Sequence, residues 1–314
     1  MNFRAALHGL ARTFDNSGSS DISQKRLPIF RLILAVLLLV TAIIAGKAWQ
    51  DTFGPAVVRR TSVELEGFSS AQRPITIALI SDLHVGGPVM PPERVSRIVS
   101  QINALRPDIV MIAGDIMADG KAVSEAYTLE QAIEPLGALE APLGVIAVSG
   151  NHDHARGLPA MQAIMQANGI VLLTNRTLAA GPVSVAGVDE IAGGEAAVAG
   201  VIQQLEAMPG GRIVLAHNPD LFALVPSSAS LTVAGHTHCG QIALPWGYAP
   251  VTPSRFDQRY NCGRVDEAGK TLVVTAGLGA CVLPLRLFAP ADIWLIEARP
   301  PDDSASDGLP SKQL

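Results

Sequence analysis

An α/β fold preceded by one transmembrane helix is predicted by three features of this chain. Short apolar runs rich in β-branched residues recur along it, helix-like stretches separate several of them, and clusters of Asp, Asn and His follow their carboxyl ends. The runs span 75–80, 109–113, 145–148, 213–216 and 231–234. Each reads as a strand buried on both faces, since a strand with one wet face would alternate apolar and polar residues. In 93–105 the residues Val95, Ile98, Val99, Ile102 and Leu105 recur at helical spacing, and 195–208 is a second such segment ahead of Gly210-Gly211. Polar clusters at the carboxyl ends of strands occupy the edge where open α/β sheets build their sites.

The membrane segment comes first along the chain. From Leu27 to Trp49 the sequence is apolar except for Arg31, Thr41 and Lys47. A spanning helix needs about 20 predominantly apolar residues, and Arg31 and Lys47 can snorkel to the two interfaces. A cleaved signal peptide and a buried core helix are the competing readings. The polar leader 1–26 and the poor cleavage site at Gly46-Lys47-Ala48 favour an uncleaved anchor. Lys25, Arg26 and Arg31 before the span, against Lys47 after it, place the N-terminus inside and the rest outside, a bias that Arg59-Arg60 weaken. A net charge of −5 without a basic stripe argues against nucleic acid as a partner.

The clusters are Asp82-Leu83-His84, Gly114-Asp115, Gly150-Asn151-His152-Asp153, His217-Asn218 and Gly235-His236-Thr237-His238, and they hold five of the seven histidines. If strand geometry persists, Asp82 and His84 project to one side, as do His236 and His238. Carboxylate, imidazole and amide oxygen suit Mn²⁺, Fe, Zn²⁺ or Mg²⁺, whereas a thiolate site would need clustered cysteines. Taken singly, Asp82 reads equally as a helix cap, Asp115 as a turn residue and His217 as a structural histidine. Their joint occurrence selects a metal site.

In this order the blocks resemble the signature of the calcineurin-like metallophosphoesterase superfamily, over roughly residues 60–298. The run Gly235–Gln241, with Gly277-Leu278-Gly279 and Pro284-Leu285-Arg286, further resembles a bacterial, membrane-anchored phosphodiesterase branch, which often has Gly where Cys239 stands. The resemblance implies a four-layer sandwich of two mixed β-sheets flanked by helices. It implies two divalent metal ions, the first held by Asp82, His84 and His238, the second by Asn151, His217 and His236, with Asp115 bridging. Two ions about 3.5 to 4 Å apart can clamp a phosphoryl oxygen and lower the pKa of a bridging water, giving a hydroxide for in-line attack. His152 then stands beside the leaving group, to protonate it or stabilise its charge, and Asp153 fixes the His152 tautomer.

The expected organisation is a leader 1–26, an anchor 27–50, a metallophosphoesterase domain 51–299 and a disordered tail 300–314. The expected activity is hydrolysis of a phosphodiester or pyrophosphate bond in a membrane-associated, lipid-linked substrate, at the periplasmic side of a bacterial inner membrane. The alternatives are a phosphomonoesterase or protein phosphatase using the same metals, and an inactive binding scaffold, which the complete ligand set disfavours. Several side chains stay open. Cys239 reads as a small buried thiol, and a Cys262–Cys281 bridge is compatible with the odd cysteine count. His154 reads as lining the cleft or facing solvent, and Arg286 as a phosphate or lipid-headgroup contact or a structural ion pair. Trp246 and Tyr248 offer apolar surface to a substrate or pack their own loop. Gly187-Val188-Asp189-Glu190 reads as an acidic turn without a catalytic role.

Overall fold

The computed structural model describes residues 18–118, 124–189 and 194–301, and the chain divides into two units, 1–46 and 47–314. The expected leader up to residue 17, the tail from residue 302 and Glu190 lie outside the described residues. Helix α1 (Gly18–Phe53) carries the apolar run. Its segment Pro28–Phe53 has a mean hydropathy of 2.7, is unburied across its most apolar window, and is long and apolar enough to cross a membrane.

The second unit then runs β1 (Val57–Glu64), β2 (Ile75–Ile80), α2 (Pro92–Ala104), β3 (Ile109–Ala113), α3 (Leu129–Ile133), β4 (Val145–Val148), α4 (Asn151–His154), α5 (Leu158–Ala167) and β5 (Ile170–Leu172). It continues with β6 (Arg176–Ala180), β7 (Val183–Val188), α6 (Gly194–Glu206), β8 (Gly211–Ala216), β9 (Leu231–Ala234), β10 (Gly263–Glu267), β11 (Lys270–Val274) and β12 (Asp292–Arg299). Two six-stranded sheets result, ordered β1-β12-β2-β3-β4-β5 and β10-β11-β9-β8-β7-β6. Both are mixed: β12 is antiparallel to β2, as β10 is to β11 and β6 to β7, while the strands between are parallel.

Side-chain alternation builds the layers. Ile77, Leu79, Met111 and Ile146 point to one face of the first sheet and meet Val185, Ile213, Leu215 and Val233 of the second. The opposite face presents Ala78, Ile80, Val110 and Ile112 to Val95, Val99 and Ile102 of α2 and to Met161 and Met165 of α5. On the far side of the second sheet, Ala186, Val188, Val214 and Ala216 pack on Val198, Val201, Ile202 and Leu205 of α6. Burying each such Val, Leu or Ile contributes about 1.5–3 kcal/mol, and two covered faces require the near-continuous apolar runs. Pro92 starts α2, where its missing N–H costs nothing, and Pro209 follows α6, which stops short of the expected Met208. The architecture is the expected four-layer sandwich of two mixed sheets.

Candidate metal centre

Five parallel strands from both sheets end at one edge, and each delivers one cluster. Asp82 and His84 follow β2, Asp115 follows β3, Asn151–His154 form α4 after β4, His217 follows β8, and His236 and His238 follow β9. The residues converge, but not by strand pleat as the spacing predicts. Asp82 (φ 49°), His84 (45°), Asp115 (53°), His236 (70°) and His238 (53°) all take left-handed backbone, a conformation that costs non-glycine residues energy and persists only where the surroundings enforce it. Here backbone hydrogen bonds enforce it: Asp82 N donates to Gly114 O (2.9 Å), His84 N to Asp115 O (3.0 Å) and Gly235 N to His217 O (3.0 Å). Gly235 is required by crowding, since a Cβ there would lie 2.3 Å from Ser81 Oγ and 2.4 Å from Asp82 Oδ2.

Three groups of ligand-type atoms result, Asp82/His84/His238, Asp115/His217/His236 and, at the rim, His84/His152/Cys281, the atoms of each within 4.8 Å of one another. In the first, Nε2 of His84 lies 3.1 Å from Nε2 of His238, and Asp82 Oδ1 lies 3.8 Å from the His84 nitrogen and 3.4 Å from that of His238. That oxygen is buried and has no hydrogen-bond partner among the described residues, whereas Oδ2 accepts from His236 N (2.9 Å). In the second, His217 Nδ1 donates to Ala113 O (2.7 Å), turning Nε2 towards Asn151 Oδ1 (3.2 Å), His236 Nδ1 (3.1 Å) and Asp115 Oδ2 (3.3 Å). Asp115 Oδ2 also lies 3.7 Å from His84 Nε2, so one carboxylate oxygen faces both of these groups. An orphaned buried carboxylate oxygen among converging nitrogens and oxygens fits divalent cations.

The electrostatics divide the cluster, favouring the neutral, metal-binding form at His84 and His236 and a protonated His217 paired with Asp115. Burial pushes the imidazoles of His84 and His236 down to about 4, leaving both neutral at physiological pH, the form that binds metal. Burial also disfavours a proton on His217, but the Asp115 carboxylate outweighs it and raises the group to about 10. Burial opposes ionisation of Asp115 in turn, yet His217 holds its carboxyl well below the usual range. Burial, partly offset by His217, lifts Asp82 to about 6.

His152 stands at the rim. Its Nε2 lies 3.9 Å from Asp115 Oδ2 and 3.7 Å from Cys281 Sγ, and its ring meets that of His84 edge-on. Asp153 does not orient it, contrary to the expectation from adjacency. The fully buried carboxylate of Asp153 accepts from the backbone N–H groups of Ile116 (2.9 Å), Met117 (3.2 Å) and Gly150 (3.0 Å), which pins the Asn151 turn against the strand end bearing Asp115. His154 is partly exposed, and its Nε2 pairs with Asp189 (2.8 Å), which also accepts from Ser149 Oγ (2.8 Å).

Arg286 is wholly buried and touches no surface that a phosphate could reach. It donates to Gly279 O (2.6 Å), Ala289 O (3.0 Å) and Ala276 O (2.7 Å), and Nη2 lies 3.2 Å from His238 Nδ1. The cysteines also depart from expectation. Cys239 is bonded to Cys262 rather than being a thiol, which replaces the expected Cys262–Cys281 bridge. Trp246 and Tyr248 are exposed rather than packed into their loop. In the sequence Cys281 stands out only for a disulfide and Gln241 only as the end of the Gly235–Gln241 run, and neither is assigned to the site; their positions, one after Gly-Leu-Gly-Ala and the other three residues past His238, are the signal that could have found them.

A cluster of candidate metal ligands at the joint edge of two mixed sheets fits the class of metal-dependent phosphoesterases. The chain matches the calcineurin-like phosphoesterase family over residues 75–240 and belongs to it. It is similar to the uncharacterized metallophosphoesterase YkuE of Bacillus subtilis, 31% identical over 64% of this chain and 71% of that protein. A Caenorhabditis elegans protein named as a metallophosphoesterase is 30% identical over 85% of this chain, which spans 57% of that protein's length. A zebrafish (Danio rerio) transmembrane protein with metallophosphoesterase domain is 27% identical over 91% of this chain and 67% of its own. The relatives are thus animal as well as bacterial, and do not single out a bacterial branch.

Proposed function

We propose that this protein is a membrane-anchored, metal-dependent phosphodiesterase that hydrolyses a phosphodiester or pyrophosphate bond of a membrane-associated substrate. The observation that carries the reading is the pair of ligand groups sharing a face with Asp115 Oδ2. Asp82, His84 and His238 would hold one divalent ion, Asn151, His217 and His236 a second, and Asp115 both. Bound divalent ions supply charge neutralisation for the phosphoryl group and acidify water. The chain's own groups do the rest. Asn151 positions the phosphoryl group, and His152 at the rim protonates the departing oxygen. Asp153 is a positioning residue, holding the turn on which both stand. Helix α1 is the single-pass anchor of a bacterial inner membrane, and residues 51–299 form the catalytic domain on the periplasmic side. The Cys239–Cys262 disulfide supports an oxidising compartment.

The test is hydrolysis of bis-p-nitrophenyl phosphate and p-nitrophenyl phosphate by the purified full chain with added Mn²⁺, Mg²⁺ or Zn²⁺. Metal-dependent turnover faster on the diester is expected. Preference for the monoester would move the assignment to a phosphomonoesterase, and a folded protein that binds no metal would make it a scaffold.

A further inference from the structure

Large apolar side chains are concentrated, exposed, on two loops beside the metal centre. Trp246 is 75% exposed, Val251 77%, Val282 76% and Leu283 52%, and Tyr248 and Leu285 are exposed with them. Single exposed apolar residues are ordinary, but a group of them at the edge of a site marks a surface that meets something. Neither 242–251 nor 277–285 contains a charged residue. Hydrogen bonds lock the two loops together. Gln241 Oε1 accepts from Cys281 N (2.7 Å), and its Nε2 donates to Leu283 O (2.9 Å) and Leu285 O (3.0 Å). Leu287 N donates to Gln241 O (3.0 Å), Ala243 N to Leu287 O (2.9 Å), and Leu244 N closes the Trp246 turn on Tyr248 O (2.8 Å). The backbone of this surface is therefore fixed before anything binds, which lowers the ordering cost of docking.

One end of the surface is fastened to the last turn of α1. Arg286 N donates to Thr52 Oγ1 (2.8 Å) and Phe288 N to Asp51 Oδ2 (2.8 Å). The segment bearing Val282, Leu283 and Leu285 thus runs directly into residues hydrogen-bonded to the last turn of the candidate membrane span, Pro28–Phe53. Its other end is the metal centre, where Cys281 Sγ lies 3.7 Å from His152 Nε2.

We infer that Trp246, Tyr248, Val251, Val282, Leu283 and Leu285 form a membrane-docking surface that seats on the lipid bilayer, so that the enzyme takes the phosphoester of a lipid directly at the bilayer surface. Trp and Tyr, apolar in body and polar at one edge, are the side chains that settle at the headgroup level. A bilayer needs no charge complement from the docking loops, which have none. The substrate class rests on the phosphodiesterase reading above; the docking itself does not.

Two measurements on the full chain reconstituted in phosphatidylcholine vesicles separate them. The first is tryptophan fluorescence with brominated acyl chains in the vesicles. Quenching that is lost in Trp246→Phe, leaving only the contributions of Trp49 and Trp294, is expected; equal quenching in the variant and the parent protein overturns the proposal. The second compares turnover of a vesicle-borne phospholipid diester with that of bis-p-nitrophenyl phosphate. In Val282→Glu/Leu283→Glu the ratio of lipid to soluble turnover is expected to fall about tenfold or more, because interfacial binding scales with the apolar area inserted. An unchanged ratio overturns the proposal. So does self-association abolished by the double variant with no lipid quenching, which would assign the surface to a second copy. Trp246 quenching in a protein that hydrolyses neither ester would support the docking surface and sink the phosphodiesterase reading alone.

Discussion

The guanidinium of Arg286 lies 3.2 Å from Nδ1 of His238, inside the protein and with no access to solvent. Burial lowers its pKa to about 10, against the pull of Asp292 and Asp82, so it remains a cation at neutral pH. Burial first, then the neighbouring His84 and this cation, keep His238 neutral. One arginine therefore satisfies three carbonyls and holds a candidate ligand in its binding form.

Arg286→Met should leave the carbonyls of Gly279, Ala289 and Ala276 buried without donors. At about 1–3 kcal/mol for each unsatisfied group, a loss of several kcal/mol is expected in thermal unfolding. Arg286→Lys, which can reach only part of this set, should fall between. Equal stability of all three proteins would show that the carbonyls find other donors.

Gly235→Ala places a methyl group against Ser81 Oγ and Asp82 Oδ2, and Asp82 is fully buried. Displacement of that carboxylate should lower the metal content of purified protein, measured by mass spectrometry, more than it lowers the melting temperature. Full metal content would mean that β9 shifts instead.

Asp115→Ala and His152→Ala should part company. Loss of the carboxylate facing both groups is expected to empty the centre and abolish turnover, while His152→Ala should keep its metal and turn over roughly 10²- to 10⁴-fold more slowly, the range of a general acid. Metal loss in the His152 variant would make that residue a ligand.

Acid should weaken the fold at a named point. The hydrogen bond from Arg73 depresses Asp108 below its usual range, and Oδ2 accepts from Thr76 N (2.8 Å), tying the start of β2 to the residue before β3. A depressed carboxyl stabilises the fold above its unfolded pKa and loses that contribution as pH falls through the folded value. Asp108→Asn should therefore cost about 1 kcal/mol at pH 7, discounted for an exposed partner, and progressively less below about pH 4. A deficit independent of pH would assign the effect to packing.

How far the sequence carried the fold is clearest in the central strands. β2, β3, β4 and β9 begin and end where their apolar runs do, because burial on both faces leaves no other composition. β1, with Arg59, Arg60, Thr61 and Ser62, lies at a sheet edge and is specified by its pairing with β12, a partner that no local pattern announces. The candidate ligands were legible from residue type and order, but their convergence was not, since it comes from left-handed turns set by bonds between strand ends. Adjacency misled for Asp153, whose carboxylate serves the backbone of the neighbouring loop. Spacing could not pair the cysteines either: only the fold brings Cys262 to Cys239.

The place of β12 governs when the fold can form. It lies between β1 and β2, so residues 292–299 must be available before strands from 57–64 and 75–80 can share a sheet. Such distant pairings form late and slowly. By the time residue 299 leaves the ribosome, α1 has long been translated and is free to enter a membrane ahead of the fold. Strand order alone thus leaves an interval in which the apolar helix is made and the first sheet is still incomplete.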